Sequence, residues 1–459
     1  MNIAVIGGGP SGMMAAISAS KSNNKVFLIE QNEKLGKKMF ITGKGRCNFT
    51  NACDNDEFFN NIITNKKFMY SSYSEFNNED TINFFNDNGL KTKIERGNRV
   101  FPESDKSSDV IDTLKNIIKK NNVKVLLNTK VIDINIEENS DIENANEDNN
   151  VLNEIYENNK NNIISKKVKS IELYDKNTNK KSKLDVDKVI IATGGFSYQS
   201  TGSTGDGYEF ASKLGIKVNK ISPSLVPLIC EEQDELNQIS PLLLKNVKIK
   251  LYKNDNKKVL YEDFGEINIR DSLLDGPIII SMSSIINIPY DIDFKNNDKI
   301  KKIIDTYENN NDKYYVEIDL KPAISHEELD ERLKREILEY KTKKIYEHLK
   351  SYMPMKLYNQ FIKRLNVDDK NLADLTKDDR KKIINLLKSY KYNIVKKAGF
   401  NKAIITHGGI DVCEVNNKTM ECKKIKGLYF AGEVVDIDCF TGGFNMQCAF
   451  SMGYKAGNN

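Results

Sequence analysis

The residues best suited to chemistry stand in glycine-punctuated segments. Gly7, Gly9 and Gly12 fill the spacing Gly-x-Gly-x-x-Gly, between the apolar run 2–6 and the small apolar stretch 13–20. In a strand–turn–helix setting this spacing cradles a pyrophosphate. The first glycine permits the tight turn, the second lets backbone N–H groups approach, and the third lets helix and strand pack closely. Pro10 and Ser11 occupy the predicted helix start, whose positive end attracts an anion. A second apolar run, 25–29, ends in Glu30-Gln31, an acid placed to accept hydrogen bonds from a ribose. Together these residues predict a dinucleotide site rather than an isolated glycine turn.

Further on, Gly36-Lys37-Lys38 and Thr42-Gly43-Lys44-Gly45-Arg46-Cys47-Asn48-Phe49-Thr50-Asn51 combine glycines, cations and amide or hydroxyl donors. Such a loop can wrap a polar, anionic ligand; an ordinary surface loop is the competing reading. Arg46 suits stabilisation of negative charge on a cofactor or a substrate carbonyl, with a pyrophosphate contact or a structural salt bridge as equal alternatives. Cys47 beside Arg46 has the setting of an activated thiol, yet no other cysteine stands at exchange spacing, which favours a small packed residue. His407, one of three histidines, precedes Gly408-Gly409 and can act as a general acid or as a structural histidine bonded to the loop backbone. His326 and His348 read as surface residues of a helical stretch.

Several elements must position these groups. Segments 123–127 and 131–136 read as strands, and 186–192 as a buried strand ending in Ala192-Thr193-Gly194-Gly195. Thr204-Gly205-Asp206-Gly207 leads into a helix over 208–214. From Ile216 short alternating segments predict an antiparallel β region, followed by helical pattern from His326 to about Tyr392. Strand-like segments return after Gly399, and a last helix follows Gly442-Gly443. The predicted organisation is a discontinuous domain over 1–214 and 398–459, a β-rich insert over 215–325 and a helical insert over 326–397. Segment 137–162, rich in Asn, Glu and Asp, reads as an expanded mobile hairpin loop.

Composition narrows the function classes. Over 459 residues, 69 Lys and Arg balance 65 Asp and Glu, so no bulk electrostatic case for nucleic acid exists. The longest apolar stretch, 278–288, is too short and too serine-interrupted to span a bilayer. A strand beginning at residue 2 predicts no signal peptide. The seven cysteines form no C-x-x-C pair and no metal-ligand spacing, so a cytoplasmic protein with reduced cysteines and no metal is expected. A small-molecule substrate is the expected partner, and no oligomeric state is implied.

The opening fingerprint, the Ala192-Thr193-Gly194 strand end and the late run 427–432 before Gly442-Gly443 resemble two-dinucleotide-type flavoproteins. That resemblance implies an α/β fold with a Rossmann-like FAD domain. The FAD adenosine and pyrophosphate would lie on Gly7, Gly9, Pro10, Ser11, Gly12, Glu30 and Gln31. Backbone at Ala192, Thr193 and Gly194 would cross the cofactor, and Glu433 after Gly432 would hold its ribityl or pyrophosphate end. The helix starting at Gly442, Gly443, Phe444 and Asn445 would point its positive end at the flavin pyrimidine.

A narrower resemblance, to the bacterial BaiN-like (YhiN-type) NAD(P)/FAD-dependent oxidoreductases, rests on the residue 36–51 segment and on Thr201-Gly202-Ser203-Thr204-Gly205-Asp206-Gly207. It rests equally on Thr406-His407-Gly408-Gly409-Ile410, Lys418-Thr419-Met420-Glu421-Cys422-Lys423 and Gly432-Glu433-Val434-Val435-Asp436-Ile437-Asp438. Thr441-Gly442-Gly443-Phe444-Asn445 and Ala449-Phe450-Ser451 complete the set. It covers essentially the whole chain and implies inserted β-barrel-like and helical domains. Lys38, Gly43, Gly45, Arg46, Cys47, Asn48, Val131 and Asp436 then join the FAD-binding set, with Arg46 and His407 as the catalytic candidates. Asp436 and Asp438 would orient ribityl hydroxyls; solvated loop carboxylates are the alternative.

The family includes enzymes that reduce C=C bonds of dehydro bile acids and others called aminoacetone oxidases. The implied function is hydride transfer through flavin N5 to or from a small organic substrate, foremost as an NAD(P)H-fed reductase of activated C=C bonds. An amine oxidase is the alternative. A tRNA-modifying flavoprotein, favoured only by the lysine-rich stretches 341–350 and 377–397, is the alternative of another class, and a non-catalytic flavin protein ranks last. No second Gly-x-Gly-x-x-Gly follows a strand, so NAD(P)H is expected as a transient donor without its own domain. One departure stands out: Gly265-Glu266-Ile267-Asn268-Ile269-Arg270-Asp271 runs into Asp275-Gly276-Pro277 without the family's Thr-His and Ser-Gly-Pro. It implies a different substrate if that segment faces one.

Overall fold

The computed structural model describes residues 1–138, 166–253, 256–291, 302–305, 307, 310 and 312–459. The loop expected over 137–162 lies, from residue 139 on, outside the described residues.

Short apolar runs form one parallel sheet: β1 (Asn2–Ile6), β2 (Lys25–Ile29), β3 (Lys124–Leu126), β4 (Lys188–Ile191) and β5 (Leu428–Phe430). Their order is β5-β4-β1-β2-β3. Central strands of a parallel sheet are covered on both faces, and Ala4, Val5, Val189 and Ile191 are fully buried accordingly. Pro10–Ala19 continues β1 as a helix because Pro10 presets the first turn and Gly12, Ala15 and Ala16 are small enough to lie on the sheet. Helix Phe444–Asn458 packs across it: a Cβ on Gly453 would lie 2.3 Å from the Ser11 carbonyl oxygen, and one on Gly457 2.4 Å from that of Ala15. An antiparallel sheet and a mixed one, in which Ile425–Lys426 pairs in parallel with Lys166–Lys167, accompany this core. Thr50–Asn51 and Thr92–Glu95 flank Arg99–Pro102, and Thr129–Glu138 and Lys180–Asp185 flank Lys166–Asp175.

Contacts group Met1–Ser222 with Ile404–Asn459 as one unit, and Pro223–Asp293 with Thr306–Ala403 as another. Within the first, Val218–Ser224 pairs with Ile405–Ile410, so strand pairing carries this unit past residue 214.

The second unit holds a closed barrel with the strand order Leu228–Cys230, Leu273–Asp275, Asn256–Arg270, Leu242–Lys253, Tyr314–Asp319, Tyr390–Lys397. Helices His326–Glu339, Met355–Leu365 and Lys377–Lys388 share its core. Ile249, Val316 and Ile318 of the barrel belong to one hydrophobic cluster with Leu329, Phe361 and Leu387. The β-rich and helical segments therefore form one body rather than two separate cores. The helical pattern expected to reach about Tyr392 stops at Lys388; Tyr390, Tyr392 and Ile394 alternate inward between Lys391, Asn393 and Val395 as the strand that closes the barrel. His348, expected at the surface, is buried, with Nε2 2.8 Å from a Glu336 carboxylate oxygen. The departing segment is a hairpin tip: Asp271 and Ser272 both have positive φ, 51° and 61°, in a two-residue turn pairing Arg270 with Leu273.

Candidate functional site

The glycine turn after β1 is built by clearance. Gly7 has φ 106°, and a Cβ there would sit 2.4 Å from the Ala192 carbonyl oxygen; one on Gly12 would sit 1.8 Å from the Gly7 carbonyl oxygen. Gly9 is different, with nothing within 4 Å of its absent Cβ. It caps helix Pro10–Ala19 with no side-chain hydrogen bond, so no capping side chain occupies the first-turn N–H groups. Glu30 turns back into this turn: the Gly8 N–H donates to its Oε2 at 2.7 Å, and the Asn32 N–H and Nδ2 donate to Oε1 at 2.9 and 2.7 Å. Burial pushes the Glu30 carboxyl up, against those hydrogen bonds. Gln31 Nε2 donates to the Gly202 carbonyl at 2.8 Å and so ties the 202–204 loop to the end of β2.

Glu433 lies just after β5. It accepts from Lys38 Nζ at 2.8 Å, Ser197 Oγ at 3.0 Å and the Thr406 N–H at 2.9 Å. A Cβ on Gly195 would lie 2.5 Å from Thr406 Oγ1 and 2.8 Å from Glu433 Oε1, so this cluster needs glycine there. Thr406 Oγ1 in turn accepts from the Phe196 N–H at 2.7 Å. Ala192 extends the end of β4 with Thr193 and Gly194, and a Cβ on Gly207 would lie 2.3 Å from Thr193 Oγ1.

In the 42–51 loop, Gly43, Lys44, Gly45 and Cys47 all take positive φ, and nothing lies within 4 Å of the Gly45 Cβ position. Arg46 is engaged structurally. Its Nε donates to Asp105 Oδ1 at 2.7 Å, its Nη2 pairs with Glu95, and its guanidinium lies 4.2 Å from the Phe101 ring centre. Those carboxylates raise the Arg46 pKa further and hold their own pKa values down. Cys47 is fully buried, which pushes its thiol up to about 12, so it is a packed thiol and not a thiolate. Val131 is buried on strand Thr129–Glu138, paired with Leu173.

Helix Phe444–Asn458 starts from Gly442 and Gly443, with φ 132° and 102°; a Cβ on Gly443 would lie 2.4 Å from the Thr50 carbonyl oxygen. Phe444 is buried near the Phe58 ring. Asn445 is bonded to the preceding loop, accepting from the Cys439 N–H at 2.9 Å and donating to its carbonyl at 2.8 Å. His407 Nδ1 lies 3.3 Å from Oδ1 of buried Asp438. Asp436 accepts from Asn219 Nδ2 at 2.8 Å, and burial raises its pKa.

Orphaned polar atoms test the fit of a cofactor. Ser11 Oγ, Asn48 Oδ1, Thr193 Oγ1 and Asp436 Oδ1 are buried and have no hydrogen-bond partner among the described residues. All belong to the predicted FAD set. Unpaired buried polar atoms are costly, and a ligand rich in hydroxyls and phosphate oxygens satisfies them. The glycine clearances and this set of two hydroxyls and two acceptor oxygens fit FAD. Residues that the sequence reading left out include Gly8, whose Cβ would lie 2.4 Å from Leu35 Cδ2, and the Gly195, Ser197 and Thr406 scaffold under Glu433. Gln199 Nε2 is a further buried orphan. Gly195 and Thr406 stand inside glycine-rich motifs, which was the available signal. Ser197 carries none. Cys439 Sγ and Cys448 Sγ, buried 3.6 Å apart, were likewise unannounced by spacing.

A family model described as "HI0933-like protein Rossmann domain" matches residues 1–154 and 148–459. The 3-dehydro-bile acid delta(4,6)-reductase of Clostridium scindens is 27% identical over 99% of this chain and 98% of its own. The ribosomal RNA dihydrouridine synthase of Haemophilus influenzae is 26% identical over 98% of this chain and 96% of its own. Among solved structures, 3-ketosteroid delta1-dehydrogenase from Sterolibacterium denitrificans matches at 12% identity and TM-score 0.49, over 99% of this chain and 98% of that one.

Proposed function

The chain belongs to the HI0933-like family of Rossmann-fold, FAD-dependent oxidoreductases, and from that premise we propose that it is an NAD(P)H-fed reductase of a C=C bond conjugated to a carbonyl. The observation that carries the FAD site is the set of buried, unpartnered polar atoms on a floor cleared by glycines. FAD, if bound there, would supply two-electron redox chemistry between a nicotinamide and the acceptor.

The chain's own residues bind, orient and protonate. Open backbone at Gly9, the uncapped start of helix Pro10–Ala19 and Ser11 Oγ would hold the pyrophosphate. Glu30 keeps the turn closed through the Gly8 N–H and offers its remaining lone pairs to the ribose. Glu433, fixed by Lys38, Ser197 and Thr406, orients the ribityl end together with Asp436. The start of helix Phe444–Asn458, also without a side-chain cap, offers positive potential that would favour negative charge on a reduced flavin held there. His407, braced through Nδ1 by Asp438, supplies the proton taken up at the carbon next to the carbonyl. Arg46 serves as scaffold, because two carboxylates already engage it.

The relatives' names support a C=C acceptor, since a delta(4,6)-reductase and a dihydrouridine synthase both add hydrogen across such a bond. A nucleobase as acceptor is the second reading, and the name of the Haemophilus relative favours it. The test is a visible spectrum of the purified protein under argon, followed by NADPH or NADH and then an enone. Bleaching by the nicotinamide and recovery with the enone are expected. Oxidised flavin that persists with both nicotinamides, or peroxide formed with an amine in air, would replace this reading with an oxidase.

A further inference from the structure

The loop that follows β4 is held at both ends and leaves one polar group unused between them. At its start, Ser197 Oγ accepts from Lys38 Nζ at 2.7 Å and donates to Glu433 at 3.0 Å, while the Ser197 N–H donates to Thr406 Oγ1 at 3.1 Å. At its end, Asn32 Nδ2 donates to the Thr201 carbonyl at 3.0 Å, and a Cβ on Gly202 would lie 2.4 Å from that nitrogen. Gln31 Nε2 donates to the Gly202 carbonyl at 2.8 Å and to Thr204 Oγ1 at 3.3 Å. Between these anchors runs one tight helical turn, Gln199–Thr201. Its backbone is closed on itself, the Thr201 N–H donating to the Tyr198 carbonyl at 2.8 Å and the Gly202 N–H to that of Gln199 at 3.0 Å.

Two observations single out Gln199. Tyr198, which enters the turn, has φ 51° and ψ 57°. A bulky residue rarely adopts this left-handed conformation, and it persists where the surrounding structure enforces it, as at ligand clamps. Directly after it, Ser200 is exposed, whereas Gln199 Nε2 is buried without a hydrogen-bond partner. It is the one nitrogen among the orphaned buried side-chain atoms of the described residues; the others are oxygens. An amide NH2 carries two hydrogens and accepts none, so only an acceptor relieves its burial. The neighbouring amides Gln31 and Asn32 have their nitrogens engaged by loop carbonyls, which leaves that of Gln199 for a ligand.

We propose, on the footing that FAD occupies this site, that Gln199 is a further cofactor contact whose Nε2 donates to an acceptor on the ADP half. Position favours that half. Asn32, which pins the turn, also donates from Nδ2 to Glu30 Oε1 at 2.7 Å, and Glu30 is the acid that faces the ribose. Phosphate oxygens, ribose oxygens and adenine ring nitrogens all accept, as the orphaned NH2 requires.

The test is calorimetric titration of the whole chain, freed of FAD, with FAD and separately with ADP, for wild type, Gln199→Leu and Gln199→Glu, alongside melting curves without ligand. Leucine has nearly the same bulk and cannot donate. It should weaken FAD and ADP by the same factor, about ten- to a hundredfold for one hydrogen bond to a charged acceptor. The Gln199→Leu apoprotein should melt no lower than wild type, because a buried unsatisfied donor has been removed. Gln199→Glu, which sets a carboxylate against phosphate, should bind both ligands more weakly than Gln199→Leu. Wild-type ADP affinity in Gln199→Leu, or wild-type FAD affinity in Gln199→Glu, overturns the contact while leaving the FAD site standing. So does a lowered apoprotein melting temperature in Gln199→Leu with unchanged affinities, the mark of a purely structural glutamine. A wild-type chain that binds no FAD overturns the contact and the cofactor reading together.

Discussion

Replacing Gly9 and Gly12 separately with alanine should uncouple cofactor binding from folding. At Gly12 the new methyl would stand 1.8 Å from the Gly7 carbonyl oxygen and 3.0 Å from its carbon. Both are backbone atoms of the turn and cannot rotate away, so β1 and helix Pro10–Ala19 must separate. Overpacking of this kind costs about 1–3 kcal/mol. Spread over a unit of this size, that lowers the apoprotein melting temperature by about 2–4 °C per kcal/mol. At Gly9 the methyl meets nothing within 4 Å, and φ is −80°, which alanine adopts freely. The apoprotein should lose at most about 1 kcal/mol there, the difference between glycine and alanine as a helix cap. The same methyl would, however, stand where a pyrophosphate must approach the backbone. Loss of one charge-assisted hydrogen bond, worth about 1.5–3 kcal/mol, corresponds to a roughly ten- to hundredfold weaker Kd. The assay is titration of apoprotein with FAD by fluorescence quenching, alongside melting curves without FAD. Wild-type FAD affinity in Gly9→Ala would refute the assignment of the turn to the pyrophosphate. A Gly9→Ala apoprotein as destabilised as Gly12→Ala would refute the clearance argument.

Other outcomes follow from the same geometry. Burial raises the Asp436 pKa above its ordinary 3.8, so ionising it in the folded state costs stability, a cost that grows as pH rises past the unfolded value. Asp436→Asn apoprotein should therefore melt higher than wild type near neutral pH, with the advantage vanishing toward pH 3.8; an advantage that grows on acidification contradicts the burial argument. Brief iodoacetamide treatment of the folded protein should label Cys413, the exposed cysteine, and spare Cys47, which mass spectrometry of the peptides will read. His407→Gln should slow enone reduction by about 10²–10⁴-fold while flavin reduction by NAD(P)H keeps its rate in stopped-flow traces. If both half-reactions slow together, His407 positions the cofactor instead of donating a proton.

Much of the first unit was legible because its signals are local. Gly7, Gly9 and Gly12 follow β1 within a few residues, and Glu30 closes β2, so spacing alone located the turn. The structural salt bridge weighed for Arg46 was legible as an alternative, but its partners were not. Its partners, Glu95 and Asp105, lie 49 and 59 residues away, and only the folded chain brings them to the guanidinium. Ser197 under Glu433 was hidden for the same reason, at a separation of 236 residues. The barrel-closing strand Tyr390–Lys397 was obscured differently. Its inward residues alternate with lysines and asparagine directly after a helix of similar composition, and pairing with Tyr314–Asp319 decides its state. Glycine clearances such as that of Gly195 against Thr406 depend on distances that no single sequence encodes visibly.

The order of strands across the parallel sheet bears on how the chain is made. β4 leaves the ribosome with one neighbour, β1, in place; its other neighbour, β5, is encoded after the whole of Pro223–Ala403. At about 5–20 residues per second, synthesis of that stretch takes about 10–40 s. During that interval the barrel unit can close on its own core, while the apolar edge of β4 and the glycine-facing side of helix Pro10–Ala19 wait for Leu428–Phe430 and Phe444–Asn458. The nucleotide cradle is thus among the last parts to be finished, and a nascent chain stalled before residue 428 would present an unpaired strand edge to chaperones rather than a site able to retain flavin.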